Sequence, residues 1–347
     1  MTTQMKGGGA GAYTPVSDAL DLTVSQMERI RKGLEALRLW LHDLIEGGLA
    51  AARPQPAAYW DEIGARLVDS DLPELALSVR GLQALINTGE DWAETVLERL
   101  ARLYLMIAGF GHYDQLNPTQ RGDLRVALGC LPRLDSIPKA YRVRDCWHVI
   151  GYHTTREQSS SRSIPDWLDE NVVHLHCTWL WGEKSGRIAL TTARAWRTKD
   201  QKFGLTPGAS LEGEVAFYPS AYPLRGSFYG LEIEKIIPGM GLIPFGRMQP
   251  YSFTRMLDEY AEALGRNPFL ERFPALLAGA LPARNGKLWA IRDGSEGTIL
   301  PLVRGWKFNW DLIAISGGAS FTIFGEWDGK AFLPLSAWAN ERVVSWS

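Results

Sequence analysis

Two histidines and a cysteine stand close together in a segment whose residue pattern predicts a β-strand. Between Val172 and Trp181, apolar and polar residues alternate, and side chains of a strand point to opposite faces with this two-residue period. His174 and His176 therefore share one face, about 7 Å apart, while Cys177 points to the other face. This spacing of two imidazoles is compatible with a metal site.

A zinc site needs at least a third protein ligand, because catalytic zinc ions hold three protein ligands and structural ones hold four. His148 or His153, on the preceding predicted strand, is a candidate for that ligand. A metal-dependent enzyme that uses His174 and His176 is thus one interpretation. The other is that both histidines lie on a half-exposed sheet face and bind no metal.

Two pairs of glutamates have a spacing that could suit hydrolysis by paired carboxylates. They are Glu212 with Glu214 and Glu232 with Glu234. Each pair alternates with apolar residues on a predicted strand, which is typical of the solvent-facing side of a sheet. We interpret both pairs as surface residues.

A segment rich in aromatic residues and proline, residues 217–229, has the composition of a binding surface. It reads Phe-Tyr-Pro-Ser-Ala-Tyr-Pro-Leu-Arg-Gly-Ser-Phe-Tyr. Its prolines stiffen the chain, and aromatic and arginine side chains are enriched at protein interfaces. Packing in the core or at a sheet edge is the alternative use of the same rings. The candidate binding residues are Phe217, Tyr218, Tyr222, Arg225 and Tyr229.

The common catalytic and cofactor-binding motifs are missing from the sequence. There is no P-loop, no HExxH and no GxSxG, which would mark phosphate binding, a zinc protease and a serine hydrolase. Gly7, Gly9 and Ala12 fit GxGxxA, but no predicted strand precedes them, and a dinucleotide site requires a strand, a turn and a helix. We expect no enzyme activity and no cofactor.

Composition and charge narrow the class of partner and the compartment. The 347 residues carry a net charge of −2 with both signs scattered, whereas nucleic-acid binding requires a basic surface. A nucleic-acid-binding module is therefore only an alternative. Three cysteines without a CxxC pair, no apolar signal-peptide core and no run long enough to cross a bilayer predict a cytoplasmic protein without a membrane partner.

The elements that must position these residues change from helical to extended along the chain. Apolar residues three and four apart from Met27 to Leu44 predict an amphipathic helix. Either Thr23 with Gln26 or Ser25 with Glu28 predicts its capping box. Asn117 and Pro118 mark the start of a last helix in this part. The helices between them are predicted at 60–67, 75–86 and 92–107.

From about residue 143 the pattern takes the two-residue period of strands. Strands are predicted around 172–181, 188–190, 211–217 and 231–233. A helix pair interrupts them, with Ser252 as the cap of the first helix and Asn267-Pro268 as the start of the second, which runs through Leu277. Gly317-Gly318 and Asp328-Gly329 have the composition of two-residue hairpin turns.

These patterns predict an α+β fold with a helical N-terminal domain and a mostly antiparallel β-rich domain. Residues 1–20 are predicted to be a disordered Gly-rich lead-in, because they show no periodicity. The helical domain is assigned to residues 21–135 and the β-rich domain to 143–347, with the inserted helices near 252–280.

Several segments resemble the region downstream of the zinc finger in bacterial SWIM zinc-finger family proteins. They include Leu-Arg-Leu-Trp-Leu-His-Asp-Leu at 37–44, Phe-Tyr-Pro-Ser-Ala at 217–221 and Gly-Glu-Trp-Asp-Gly at 325–329. Further matching segments are 60–69, 223–225 and 334–338. Together they span the chain from about residue 33 to 340.

The sequence departs from that family at the zinc finger itself. The finger has the pattern CxCx(n)CxH, and this chain contains no CxC, so finger-dependent zinc binding is not carried over to any residue. The resemblance implies a non-catalytic protein-binding adaptor or scaffold. Its implied partners are a MoxR-type AAA+ ATPase or a von Willebrand A-type protein. The 217–229 segment and the exposed helical faces are the candidate contacts.

Overall fold

Apolar residues three and four apart place one side of each N-terminal helix in a common core. The computed structural model describes residues 3–4, 20–86, 91–158, 173–195, 207–229, 235–237, 248–286, 288–339 and 342–346. Most of the predicted lead-in and of the 231–233 strand, and both Glu232 and Glu234, lie outside these residues. No helix among the described residues is long and apolar enough to cross a membrane.

Five α-helices form the N-terminal part of the described chain. The helices α1 to α4 form a closed ring, since each contacts the next and α1 contacts α4, and α5 packs against α4. Their buried leucine, isoleucine, tryptophan and valine side chains form one core. The bounds are α1 (Val24–Glu46), α2 (Ala57–Asp69), α3 (Pro73–Leu85), α4 (Trp92–Gly111) and α5 (Pro118–Leu128).

The predicted helix starts are confirmed at α1 and α5. The side chain of Thr23 accepts a hydrogen bond from the Gln26 backbone N–H, and the Gln26 side chain accepts from the Thr23 backbone N–H. Asn117 and Gln120 make the same reciprocal pair at α5, with Pro118 in the first turn. Each pair satisfies backbone N–H groups that have no partner inside the helix.

Two six-stranded antiparallel sheets follow. The first has the order β4-β3-β2-β5-β6, with β7 also paired to β5. Its strands are β2 (Arg142–Gln158), β3 (Val173–Gly182), β4 (Ile188–Ala195), β5 (Ser210–Phe217), β6 (Gly226–Phe228) and β7 (Lys235–Ile237). Two short strands, β1 (Thr3–Gln4) and β8 (Met248–Gln249), form a separate parallel pair.

The second sheet has the order β11-β10-β9-β12-β13-β14. Helices α6 (Phe253–Arg266) and α7 (Asn309–Ser316) both pack against its strand β9. The strands are β9 (Phe273–Asn285), β10 (Leu288–Asp293), β11 (Ile299–Pro301), β12 (Phe321–Trp327), β13 (Phe332–Ala339) and β14 (Arg342–Ser345).

The second sheet packs on one face of the first, and their side chains share the largest core. Trp179 of β3 meets Phe324 of β12 edge-to-face, with ring centroids 6.3 Å apart. The Ser336 hydroxyl on β13 donates a hydrogen bond to the carbonyl of Ile150 on β2. The predicted α+β class, with helices first and antiparallel sheets after them, is therefore confirmed.

Two local predictions are wrong. The second helix of the inserted pair does not form: Asn267-Pro268 makes a turn, and Phe273 begins β9. Phe273 precedes Pro274, and the residue before a proline is disfavoured in the helical conformation. The other error is at Gly317-Gly318, where Gly317 ends α7 with a positive φ of 54°. The Asp328-Gly329 turn does join β12 to β13, as predicted.

Candidate functional site

The 217–229 segment lies mostly inside the protein. Phe217 is fully buried, and Tyr218 and Tyr222 are 7% and 5% exposed. Arg225 and Tyr229 are half-buried. Three of the five predicted binding residues are therefore core side chains of the folded chain, which is the alternative that the sequence left open.

This segment joins the β-rich domain to helix α5. The carboxylate of Asp123 accepts hydrogen bonds from the Ser220 hydroxyl and from the Ala221 backbone N–H, the latter at 3.2 Å. Beside it, Gly122 faces the Pro219 carbonyl so closely that a Cβ atom would stand 2.3 Å from the oxygen. Because real carbon–oxygen contacts are much longer, this joint requires glycine at position 122.

An ion-pair cluster forms the second part of the joint. Glu74 of α3 lies 2.9 Å from a guanidinium nitrogen of Arg194 and 3.5 Å from one of Arg225. Burial alone would raise the pKa of Glu74, but hydrogen bonds and charge from the two guanidinium groups outweigh burial and lower it. Arg225, a predicted binding residue, therefore holds the two domains together.

The metal-dependent alternative at His174 and His176 finds no third ligand in the described chain. His176 is 7% exposed, and its Nδ1 lies 2.6 Å from the Tyr152 hydroxyl. Burial lowers its pKa, with a smaller contribution from the charge of His174. In the β2–β3 register His148 stands opposite Trp181 and His153 opposite Cys177. Among the described residues, no three-residue group suited to a metal includes His174 or His176.

A buried charge network instead links the two sheets at Glu326 of β12. Its Oε1 accepts from the Trp179 indole N–H at 2.7 Å and lies 2.9 Å from His153 Nε2. Its Oε2 accepts from Arg272 at 2.9 Å. A buried carboxylate is tolerated only with such partners, because burial removes its hydration.

The same contacts fix the protonation of the network. Burial would raise the pKa of Glu326, yet the charge of Arg272 and the hydrogen bond with His153 lower it to about 2. Burial would lower the pKa of His153, but its hydrogen bonds with Cys177 and Glu326 and the charge of Glu326 raise it to about 9. At neutral pH Glu326 is ionised and His153 is protonated. The network is thus a structural bridge in which one buried anion contacts two cations, and Arg272 Nη1 also lies 2.8 Å from His153 Nε2.

The most exposed large aromatic side chain of the described chain lies on α7, which packs against strand β9 of the second sheet. Trp310 of α7 is 73% exposed, and its ring meets that of Trp289 on β10 at 76°, with centroids 5.4 Å apart. The two rings line one side of a groove of about 300 Å³. Pro282, Ala283, Arg284 and Ile313 complete its lining.

Arg284 gives this groove a positive charge. Its guanidinium lies 4.8 Å from the centroid of the Trp289 ring, a cation–π arrangement. The side chain is exposed, and within the described part of the chain it forms no ion pair. The groove therefore combines two indole rings with one cation, the side-chain types that dominate protein-binding hot spots.

A second apolar surface lies on the helical domain. Leu97, Tyr104 and Leu105 of α4 are 54%, 60% and 43% exposed. Tyr104 and Leu105 follow Leu97 by seven and eight residues, so all three lie on one stripe of the helix. This stripe belongs to the exposed helical faces that the sequence predicts as contacts, and that role remains a prediction.

The comparison with protein families concerns the helical part. Residues 25–128 match the family model of the SWIM-associated four-helix bundle domain. The helical domain is therefore similar to a SWIM-associated four-helix bundle domain, and it is called the SWIM-associated bundle below. The four helices of the closed ring, α1 to α4, fit that description, and α5 lies within the same match. No curated protein and no solved structure matches the chain.

For the helical domain, this match confirms the resemblance to the region that follows the zinc finger in SWIM proteins. The resembling segments in the β-rich domain lie beyond the match. There the structure gives them physical roles: Ser220 and Ala221 hold the SWIM-associated bundle through Asp123, and Glu326 bridges the sheets.

Sequence reasoning missed the groove beside Trp310. The chain has 14 tryptophans, and nothing in the periodicity of residues 305–316 separates an exposed indole from a buried one. The only available signal was position: Trp310 lies between Asn309 and Asp311, where a core residue is less expected.

Proposed function

We propose that this chain is a non-catalytic protein-binding adaptor and that it holds a partner in the groove beside Trp310. The observation that carries the proposal is the 73% exposure of Trp310 next to Trp289 and Arg284. A large apolar ring in water is unfavourable by about 25 cal/mol per Å² of apolar surface. A partner that covers the ring recovers this free energy, so the groove has a built-in driving force for association.

The groove suits an extended segment that contains proline and carries an acidic residue beside it. Two indole rings set nearly perpendicular leave a corner in which a flat proline ring contacts both faces, as in other aromatic-lined proline-binding grooves. A polyproline segment is already extended, so it loses little conformational entropy on binding. The exposed guanidinium of Arg284 supplies the complementary charge for an aspartate or glutamate of the partner.

The SWIM-associated bundle adds the class of partner to this proposal. The resemblance to SWIM zinc-finger family proteins implies a MoxR-type AAA+ ATPase or a von Willebrand A-type protein as the partner. We take such an ATPase or von Willebrand A-type protein as the source of the segment. In this arrangement the buried joint and the buried network keep the two domains rigid while the groove remains open to the partner.

A peptide titration tests the occupant directly. The probe is a ten-residue peptide with two prolines flanked by glutamates, added to the purified protein while tryptophan fluorescence is recorded. We expect saturable binding that Trp310→Ala abolishes and Arg284→Gln weakens about tenfold, the effect of one exposed charge contact of roughly 1 kcal/mol or slightly more.

The controls separate the groove from general stickiness. Tyr104→Ala removes a comparably exposed aromatic ring from α4 and should leave the titration unchanged. A peptide with alanines in place of the prolines should bind weakly or not at all. Binding that persists in Trp310→Ala, or that both peptides share, contradicts the proposed occupant.

A further inference from the structure

A cysteine, a histidine and a glutamate lie close together at one end of the first sheet, next to Trp181. Cys146 and His148 are two residues apart on β2 and so point to the same face. Glu183 follows β3 in the turn that leads to β4. One ligand atom of each side chain lies within 4.8 Å of the others. The sequence signal for this cluster is Cys-Trp-His at 146–148.

The imidazole of His148 is held in one orientation. Its Nδ1 lies 2.8 Å from the Ser210 hydroxyl on β5, and its ring stacks on Trp181 with centroids 5.6 Å apart. The remaining nitrogen, Nε2, therefore faces Glu183, 3.5 Å from its Oε2. A histidine that binds a metal through one ring nitrogen commonly has the other fixed by a hydrogen bond of this kind.

The turn that carries Glu183 is also fixed. The Glu183 backbone N–H donates to the Cys146 carbonyl at 3.0 Å. The Asp145 carboxylate accepts from the backbone N–H groups of Lys184, at 3.1 Å, and Ser185, at 2.8 Å. The backbones of Cys146 and Glu183 are thus bound to each other directly and through Asp145. Only side-chain rotation is needed to adjust the three ligands.

We propose that Cys146, His148 and Glu183 bind a zinc ion, with the fourth position open to water. A thiolate, an imidazole and a carboxylate form a donor set that zinc prefers. Nitrogen and oxygen ligands about 2.0–2.2 Å from a tetrahedral zinc stand roughly 3.4 Å apart, close to the 3.5 Å between His148 and Glu183.

The surroundings favour a cation and give it access. Glu212 of β5 stands opposite Cys146 in the sheet register and adds a further negative charge. His148 is buried, whereas Cys146 and Glu183 are half-buried, so the ligands close the site on the sheet side and leave it open towards solvent. This arrangement is independent of the groove beside Trp310, and neither proposal requires the other.

A second cluster, His42 with Asp43 and Glu46 on α1, serves as the matched control. All three side chains are exposed, no thiol is present, and His42 and Glu46 are four residues apart, which is the ordinary spacing of a surface ion pair on a helix. We expect no zinc binding there.

The test is a zinc titration of the full chain against a chelating dye, with metal content measured after gel filtration. We expect one zinc per chain. Ser210→Ala should lower zinc affinity about 10- to 100-fold, and Cys146→Ser and Glu183→Gln should lower it further. His42→Ala and Cys130→Ser should leave zinc affinity unchanged. With Co²⁺ in place of zinc, the thiolate-to-metal absorption band should appear in the wild type and vanish in Cys146→Ser.

Circular dichroism and urea unfolding of each variant distinguish loss of the site from loss of the fold. The absence of stoichiometric zinc in the folded wild-type protein overturns the proposal. So does full zinc affinity in both Cys146→Ser and Glu183→Gln. Loss of zinc in His42→Ala alone would assign the metal to α1 and contradict the site described.

Discussion

At the scale of single residues, the carboxylate of Glu326 contacts both His153 and Arg272 inside the protein. It is 5% exposed and accepts hydrogen bonds from Trp179 and Arg272. The sequence showed Gly-Glu-Trp in a strand pattern, which gives no information about which strand face a second sheet will cover. The burial of this charge could therefore not be predicted, although its segment carried part of the resemblance.

Replacing Glu326 with glutamine should destabilise the protein by about 3–5 kcal/mol, the usual cost of removing one partner from a buried ion pair. Glutamine keeps the shape but leaves Arg272 and His153 without their anion. Urea unfolding measures the loss. Glu94→Gln, which breaks an exposed pair with Lys330, should change stability by less than about 1 kcal/mol. Equal losses in both variants would contradict the bridging role.

The pH dependence of the Glu326→Gln effect has a defined sign. The pKa of Glu326 falls from 4.5 to about 2 on folding, so its contribution is present above pH 4.5 and is lost as the pH falls towards 2. The pKa of His153 rises from 6.5 to about 9, so its contribution is present below pH 6.5 and is lost as the pH rises through 9. The difference in unfolding free energy between wild type and Glu326→Gln should be largest between pH 4.5 and 6.5. A constant difference from pH 3 to 9 would contradict this assignment.

At the scale of elements, amphipathic helices and alternating strands were predictable, and buried strands were not. The spacing in α1 and the capping boxes at Thr23 and Asn117 predicted helices that the structure confirms. Residues 273–277 of β9 are all buried, and a short run of apolar residues has no periodicity that separates a strand from a helix. Pro274 was the available signal, because it restricts the conformation of Phe273.

The contact between α5 and the 217–229 segment makes Gly122→Ala a sharp test of the joint. A Cβ at position 122 would stand 2.3 Å from the Pro219 oxygen, and the resulting shift should cost about 1–3 kcal/mol in urea unfolding. Gly81→Ala in α3 meets no atom within 4 Å and should stabilise by up to about 1 kcal/mol, because alanine favours helices. The two substitutions should therefore change stability in opposite directions, and a neutral Gly122→Ala would show that the joint is loose.

Asp123 should make this joint sensitive to pH. Burial raises its pKa from 3.8 to about 7 against the lowering effect of its hydrogen bonds with Ser220 and Ala221. A raised pKa means that the stabilising contribution is present below pH 3.8 and is lost as the pH rises through 7. In Asp123→Asn, the fall in unfolding free energy between pH 4 and 7 should shrink by a few kcal/mol. Asp135→Asn, at an exposed site, is the control, and an unchanged slope in Asp123→Asn would refute the assignment.

At the scale of the whole molecule, the sequence predicted two structural classes of domain but not how they meet. The joint uses Glu74 and Asp123 from the helical domain with Arg225, Ser220 and Ala221 from the β-rich domain. These pairs are about 100 to 150 residues apart in the chain, so no local pattern connects them. The structure packs the 217–229 segment between the chain's own domains, which is the alternative use of its aromatic residues, and its role in binding a partner stays a prediction.

The proposed binding surface uses other residues than this joint, namely Trp310 and Arg284. Among the described tryptophans Trp310 alone is exposed, and this is visible only in the folded chain, where the other described ones are buried or half-buried. The SWIM-associated bundle and the groove are the two parts of the chain on which the proposed function rests. The central claim is that the folded chain presents the groove to a partner protein.

The most direct measurement is isothermal titration calorimetry of the purified chain with a purified MoxR-type AAA+ ATPase or its von Willebrand A-type protein. We compare wild type, Trp310→Ala and Tyr104→Ala at moderate salt. We expect saturable binding by wild type and by Tyr104→Ala. The affinity of Trp310→Ala should be at least tenfold weaker, a loss of roughly 1.4 kcal/mol or more. Equal affinity of Trp310→Ala and wild type, or no binding of wild type to either protein, would contradict the central claim.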